Sequence, residues 1–381
     1  MNILTLLQPP RIVFGDGCAP QCAEFLAQRG VKRALLVSST PVLPTIGPVT
    51  AALTQAGVNW VQSPPVDREP TIEFFEASRQ AARADQIDGV LGIGGGSAMD
   101  VAKLLAALLR GRQTAREVYG INLLTGRELP LVCLPTTAGT GAEVSPNAIL
   151  LDEAEQLKKG VISPHLVPDA AFVDPRLTHS VPPAVTAATG LDALTHCIEA
   201  YANKFAHPIV DTYAWRGMEL ISKNLFRAVH NGADAEARAQ LALGSLYGGL
   251  CLGPVNTAAI HALSYPLGSR FHIAHGVSNA LLLPAVLRFN FPAAPERYAL
   301  VAQALGVERG HSAEATAECG VRRLTELSKS CGVPQRLSEL NIPRSALPAL
   351  AQAAMQVTRL LKNNLRSVTE ADAMQIYEAI Y

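Results

Sequence analysis

A change of pattern at Pro182-Pro183 constrains this chain more than any other feature. Up to about residue 150, short apolar runs alternate with stretches of helical period. Residues 33–38, 86–94 and 129–135 read as buried parallel strands. Residues 71–84 and 98–109 read as helices between them. Such alternation predicts a parallel α/β sheet with helices on both faces. Beyond Pro183 the chain is rich in Ala and Leu at helical spacing, as in 235–252 and 346–361, with almost no strand signal. A length of 381 residues suits two domains. The expected architecture is an α/β N-terminal domain, residues 1–178, followed by an all-α C-terminal domain, residues 179–381.

Charge narrows the class of partner. Lys+Arg and Asp+Glu both number 32. A formal charge of zero gives no general grip on nucleic acid or on an acidic membrane, so the expected ligand is small. The N-terminus has no basic region ahead of an apolar run and does not read as a signal peptide. No apolar run approaches the roughly 18 residues of a membrane-spanning helix. The seven cysteines are an odd count without a Cys-x-x-Cys pair. Cys18 and Cys22 read as half-buried thiols, and a reduced, cytoplasmic setting is expected.

Two glycine-rich loops carry the nucleotide signal. In Gly94-Gly95-Gly96-Ser97-Ala-Met-Asp100-Val-Ala-Lys103, three adjacent glycines follow a strand and open a helix. Glycine lets the backbone approach a ligand closely, and free helix-start N–H groups then face an anion, pyrophosphate being the natural one. Ser97 stands where the usual dinucleotide fingerprint has its last glycine. The competing reading is a tight turn with Ser97 as N-cap and Asp100 three residues on. A second loop, Pro135-Thr136-Thr137-Ala-Gly-Thr140-Gly141, also follows a strand and offers hydroxyls to a ribose or phosphate.

The helical half offers metal ligands. Asp192 and His196 are four apart, a spacing that puts both on one helical face. His261 and His275 follow, fourteen residues apart. One carboxylate and three imidazoles suit a borderline divalent ion such as Fe²⁺ or Zn²⁺. Glu199, seven after Asp192, shares the face as a supporting carboxylate. His165, His179, His207, His230 and His311 read as ordinary packing or surface histidines. A metal beside a nicotinamide would act as a Lewis acid on an alcohol or its carbonyl product.

These motifs together resemble the iron-dependent, group III alcohol dehydrogenases of the dehydroquinate synthase-like superfamily. The likeness runs from Arg11-Ile-Val-Phe-Gly-Asp-Gly17 through both loops, Asp174-Pro175 and Ala188-Thr-Gly-Leu-Asp-Ala-Leu-Thr-His196. It continues through His261 to Gly276 and closes at Thr369-Glu-Ala-Asp-Ala. The resemblance implies an NAD(P)-dependent alcohol dehydrogenase or aldehyde reductase acting on a small alcohol, aldehyde or hydroxy acid, as a homodimer or larger. It implies that the N-terminal domain is dinucleotide-binding and the C-terminal domain metal-binding, that Gly95, Gly96 and Ser97 hold pyrophosphate and that Thr136, Thr137 and Thr140 contact the cofactor. It places Lys158 near the ribose and Asp100 beside the nicotinamide end.

Two positions depart from the family pattern. Many members carry a second histidine four after the third ligand, a candidate for proton transfer; here Tyr265 stands there, with His272 as another candidate. Tyrosine also occurs at this place in hydroxyacid–oxoacid transhydrogenases, whose chemistry is a second possibility. Ser39 ends the strand where NAD-preferring members often have Asp; a serine neither bonds the ribose hydroxyls nor repels a 2′-phosphate, so NAD or NADP is expected, NAD ahead. A dehydroquinate synthase-like lyase with recycled NAD and a non-catalytic nucleotide-binding scaffold are the remaining alternatives.

Overall fold

The computed structural model describes residues 3–381. It divides into two compact units: Leu6–Thr137 with Gly141–Ser180, and Val181–Tyr381 with Ala138–Thr140. Each is described by itself.

The first unit carries, in chain order, β1 (Arg11–Phe14), α1 (Gln21–Gln28), β2 (Arg33–Val37), α2 (Gly47–Gln55), β3 (Asn59–Gln62), α3 (Ile72–Ala82), β4 (Gly89–Gly94) and α4 (Gly96–Leu108). It continues with β5 (Gly120–Ile121), β6 (Leu131–Pro135), β7 (Asn147–Asp152), β8 (Leu157–Ile162) and β9 (Ala170–Val173). Six strands form one sheet in the order β1-β9-β6-β4-β2-β3, parallel throughout. A second, small sheet runs β5-β8-β7, with β7 and β8 antiparallel. Alternate residues of the central strands feed opposite faces. Leu35 and Val37 join α3 and α4 in one core, whereas Ala34 and Leu36 join α1 and α2 in the other. That two-faced burial is why these strands read as continuous apolar runs.

The strand order reverses between β2 and β4. From β2 the chain steps outward to β3, then returns past β2 to β4, β6 and β9. In open α/β sheets the carboxyl ends of strands at such a switch form the ligand crevice. Strand β1 waits for the last strand to arrive: Arg11 pairs with Ala170 and Phe14 with Val173. Asp174 then seals the joint, its carboxylate accepting from the N–H groups of Gly17 (3.0 Å) and Ala19 (3.1 Å).

The second unit is helical: α5 (Pro183–Tyr201), α6 (Pro208–His230), α7 (Ala235–Leu252), α8 (Ala259–Phe271), α9 (His275–Asn290) and α10 (Pro295–Ala304). Helices α11 (Ala313–Ser330), α12 (Leu347–Ala354), α13 (Thr358–Leu361) and α14 (Glu370–Ala379) complete it. Helix α5 starts on Pro183, whose missing N–H costs nothing at a helix start. The single helix expected over 346–361 is not formed. It breaks into α12 and α13 around Val357, whose ψ of 48° is not helical. Past α13, Asn363 donates to Thr257 O and Asn364 to Asn290 Oδ1, tying the following turn to the helical core. Cys18 and Cys22 are fully rather than half buried, and all seven cysteines are free thiols. Among the described residues, no helix is long and apolar enough to cross a membrane.

Candidate functional site

Three helices of the second unit bring the four expected ligands together. Helix α5 presents Asp192, His196 and Glu199 on successive turns of one face. His261 lies in the first turn of α8, and His275 opens α9. Asp192 Oδ1 stands 3.8 Å from His196 Nε2, 3.5 Å from His261 Nε2 and 3.6 Å from His275 Nε2. Ligands about 2.1 Å from one tetrahedral ion lie about 3.4 Å apart, so the spacing fits. Asp192, His261 and His275 form the tightest group, their ligand atoms all within 4.8 Å. His196 joins at its edge, its ring stacked on His261 at 4.8 Å between centroids.

Asn279, one turn after His275, was not anticipated from the sequence. Its Nδ2 lies 2.6 Å from Asp192 Oδ1, 3.0 Å from His261 Nε2 and 3.2 Å from His275 Nε2. An amide has two N–H bonds and cannot serve three acceptors. The lone pairs of the cluster therefore converge on one region, as ligands of a single cation do. The spacing that exposed Asp192 and His196 recurs between His275 and Asn279, but a neutral amide gives no metal signal in a sequence.

Glu199 supports this group in the way its spacing suggested. Its Oε2 lies 2.6 Å from His261 Nδ1, and its Oε1 accepts the Ile260 N–H at 2.6 Å. One carboxylate thus satisfies a free N–H at the start of α8 and turns the lone pair of His261 Nε2 toward Asp192. The electrostatics follow the same contacts. Burial alone would raise Asp192, but His196, His275 and His261 hold it well below the usual carboxylate range. Burial opposes protonation of His261, yet Glu199, with help from Asp192, raises it to about 9. His196 has no bonded carboxylate, and burial lowers it.

The Glu199→Gln variant tests the supporting bond. Glutamine can still accept from Ile260, but its NH₂ then faces His261 Nδ1 and favours the tautomer protonated on Nε2. Metal retention is expected to fall about 10–100-fold, read as metal per chain after dialysis against graded chelator. Retention equal to that of the unaltered protein would remove Glu199 from the site.

In the first unit Ser39, Gly94, Gly95, Gly96, Ser97, Thr136 and Thr137 lie at the carboxyl ends of β2, β4 and β6, beside the switch point. Thr136 N–H donates to Gly94 O at 2.9 Å, tying the ends of β6 and β4 together. A Cβ added at Gly95 would lie 3.5 Å from Thr137 Oγ1. Gly95, not Ser97, is the N-cap of α4, and no side chain caps that helix. The capping-box alternative is therefore not formed, and the first-turn N–H groups of α4 have no side-chain acceptor. Asp100 instead accepts the Ile149 N–H at 3.0 Å, and burial pushes it up to about 6 against the pull of Lys103. Fully buried Lys103 donates to Ser145 O, Ser145 Oγ and Asn147 O, binding α4 to the start of β7. Lys158 lies on β8, its Nζ 2.5 Å from Glu69 Oε1. Thr140 is grouped with the helical unit, beside Gly139, which packs against Thr189. Ser39 lies two residues past the end of β2, half buried. Tyr265 lies on α8, its ring 6.1 Å from that of His275. His272 is exposed, ending α8 in the left-handed conformation (φ 56°).

An α/β unit with a glycine turn at its switch point and a helical unit with an Asp/His/His/His cluster together define a class of metal-dependent oxidoreductase. Comparison with known proteins gives the same class. The profile of iron-containing alcohol dehydrogenases matches residues 9–175, and that of the C-terminal part of the same family matches 186–381. Long-chain-alcohol dehydrogenase 1 of Geobacillus thermodenitrificans is 40% identical over 392 residues, covering 100% of this chain and 98% of that protein. Lactaldehyde reductase of Escherichia coli K12 is 31% identical over 373 residues, covering 97% of each. The crystal structure of a 1,3-propanediol oxidoreductase superposes with a TM-score of 0.96 at 31% identity, covering 100% of both chains. The chain belongs to the iron-containing alcohol dehydrogenase family. It is an enzyme, a metal-dependent alcohol dehydrogenase or aldehyde reductase.

Proposed function

We propose that this enzyme reduces aldehydes, and oxidises the matching alcohols, with NAD(H) and one ferrous ion held by Asp192, His196, His261 and His275. The observation that carries the reading is the approach of three imidazole Nε2 atoms to within 3.8 Å of one Asp192 oxygen. Residues 1–178 hold the nucleotide and residues 179–381 hold the metal. A bound Fe²⁺, or Zn²⁺ in its place, supplies Lewis acidity toward the substrate oxygen. Gly94, Gly95, Gly96 and Ser97 present the uncapped start of α4 to pyrophosphate, with Thr136, Thr137 and Thr140 donating from the second loop. Asp100 and Lys158 stand further along the cofactor. Tyr265 donates a hydrogen bond to the substrate oxygen, a role that its closeness to His275, 6.1 Å between ring centroids, supports. His272, exposed at the end of α8, is the weaker candidate for moving a proton. Free thiols throughout suit the reducing cytoplasm, where the enzyme acts as a homodimer or larger.

The test is consumption of NADH and NADPH by anaerobically Fe²⁺-loaded enzyme across straight-chain aldehydes of graded length and 2-oxo acids. Oxidation should fall to about a hundredth on chelation and return with Fe²⁺. Net oxidation of neither cofactor, with metal and nucleotide both bound, would overturn the reading in favour of a transhydrogenase or a lyase that recycles its cofactor.

A further inference from the structure

Residue 39 lacks the carboxylate that would hold a ribose, yet a carboxylate stands beside it. The strand pairing that joins β2 to β3 runs on past both strands, with Ser63 N–H donating to Leu36 O (3.0 Å) and Val66 N–H to Ser38 O (2.9 Å). The next residue, Asp67, meets the end of β2. Thr40 N–H donates to Asp67 Oδ1 and Thr40 Oγ1–H to Asp67 Oδ2, each at 2.7 Å. We propose that Asp67 supplies, from the loop after β3, the acidic group that Ser39 omits, and that it selects NAD(H) over NADP(H). The inference rests on the nucleotide-dependent reading above.

Position supports it first. Val37 pairs with Gly92, so the residues just past β2 run level with Gly94 and Gly95, where the glycine turn begins. In doubly wound sheets an acidic group at the end of the strand beside that turn meets the adenosine ribose. Strand β2 is that neighbour, on the far side of the switch point. Chemistry supports it second. Each carboxylate oxygen has about two acceptor directions. Thr40 uses one on each, which leaves one on each for a pair of vicinal hydroxyls. Both bonds from Thr40 also favour the ionised form of Asp67. Asp67 and Thr40 are exposed, open to a ligand. A 2′-phosphate would set like charge against a carboxylate that cannot swing away while Thr40 holds both of its oxygens.

The experiment measures Kd for NADH and NADPH by fluorescence titration, and kcat/KM with each, for the unaltered protein, Asp67→Asn and Thr40→Val. The unaltered protein should prefer NADH by about tenfold or more, and Asp67→Asn should erase most of that preference, chiefly by tightening NADPH. Thr40→Val keeps the charge but frees it, and should lie between the two. A merely structural brace would weaken both cofactors alike and leave their ratio unchanged; that result overturns the proposal. Preference of the unaltered protein for NADPH overturns it as well. Binding of neither nucleotide overturns the nucleotide-dependent reading, and this inference with it.

Discussion

Replacing His261 with alanine is expected to lower kcat/KM for aldehyde reduction by on the order of 10³-fold and to strip the purified protein of metal. The expectation follows from what His261 joins. Its Nε2 faces Asp192 Oδ1, and its Nδ1 is held by Glu199, whose other oxygen secures the start of α8. Alanine removes an imidazole from the proposed metal cluster and leaves Glu199 Oε2 buried with no ring opposite. The loss of a buried ring costs stability, yet α8 keeps its Ile260–Glu199 bond, so the variant should unfold cooperatively at a lower temperature. Activity, metal content and far-UV circular dichroism separate the outcomes. A folded variant that keeps both metal and turnover would show that the cluster is not the metal centre.

The second large effect is expected from one added methyl group. A Cβ at Gly276 would stand 2.2 Å from the Ala188 carbonyl oxygen and 2.6 Å from its carbon. Both are backbone atoms of α5, so no side chain can turn aside. Helix α9 must draw back from α5, and its first residue is His275. Gly276→Ala should therefore cost about 3 kcal/mol, at the upper end for an overpacked core. The helical unit should melt roughly 6–12 °C lower, and metal should leave at lower chelator concentration. An unchanged melting temperature together with unchanged metal retention would show that the α5–α9 contact yields without effect.

The convergence of Asp192, His196, His261 and His275 was legible because side-chain type and spacing reported it together. The spacing of four put a carboxylate and an imidazole on one helical face, and Glu199 fell on the same face. Asn279 escaped because its amide carries no charge. The central strands β2, β4 and β6 were legible as apolar runs buried on both faces. Strand β1 was not, since Arg11 and Phe14 at its ends are exposed and Ile12 and Val13 between them are only half buried. The β7–β8 hairpin hid behind the acidic turn Asp152-Glu-Ala-Glu155 and the charged pair Lys158-Lys159, in a strand that is mostly half buried. The break at Val357 was invisible because the Ala/Leu period passes through it, while the contacts that fix the chain just after it, to Thr257 and Asn290, are distant in sequence. Asp67 was missed for the same reason. Its meaning depends on which strand lies beside it, and sequence order does not give sheet order.

The pairing of β1 with β9 has a consequence for how the chain emerges from a ribosome. Strands β2, β3, β4 and β6 can find their neighbours as they appear. Strand β1 cannot, because its only partner comes near the end of the first unit; Gly17 and Asp174, which seal the joint, are 157 residues apart. Contacts of such long sequence separation form late. A nascent chain released up to residue 165 would already hold both glycine-rich loops. It would still show β6 with a bare edge and Arg11–Phe14 with nothing to pair with, the state in which strand edges invite misassembly. Completion of this half of the enzyme is thus timed by four residues, Ala170–Val173, rather than by the segments that perform its chemistry.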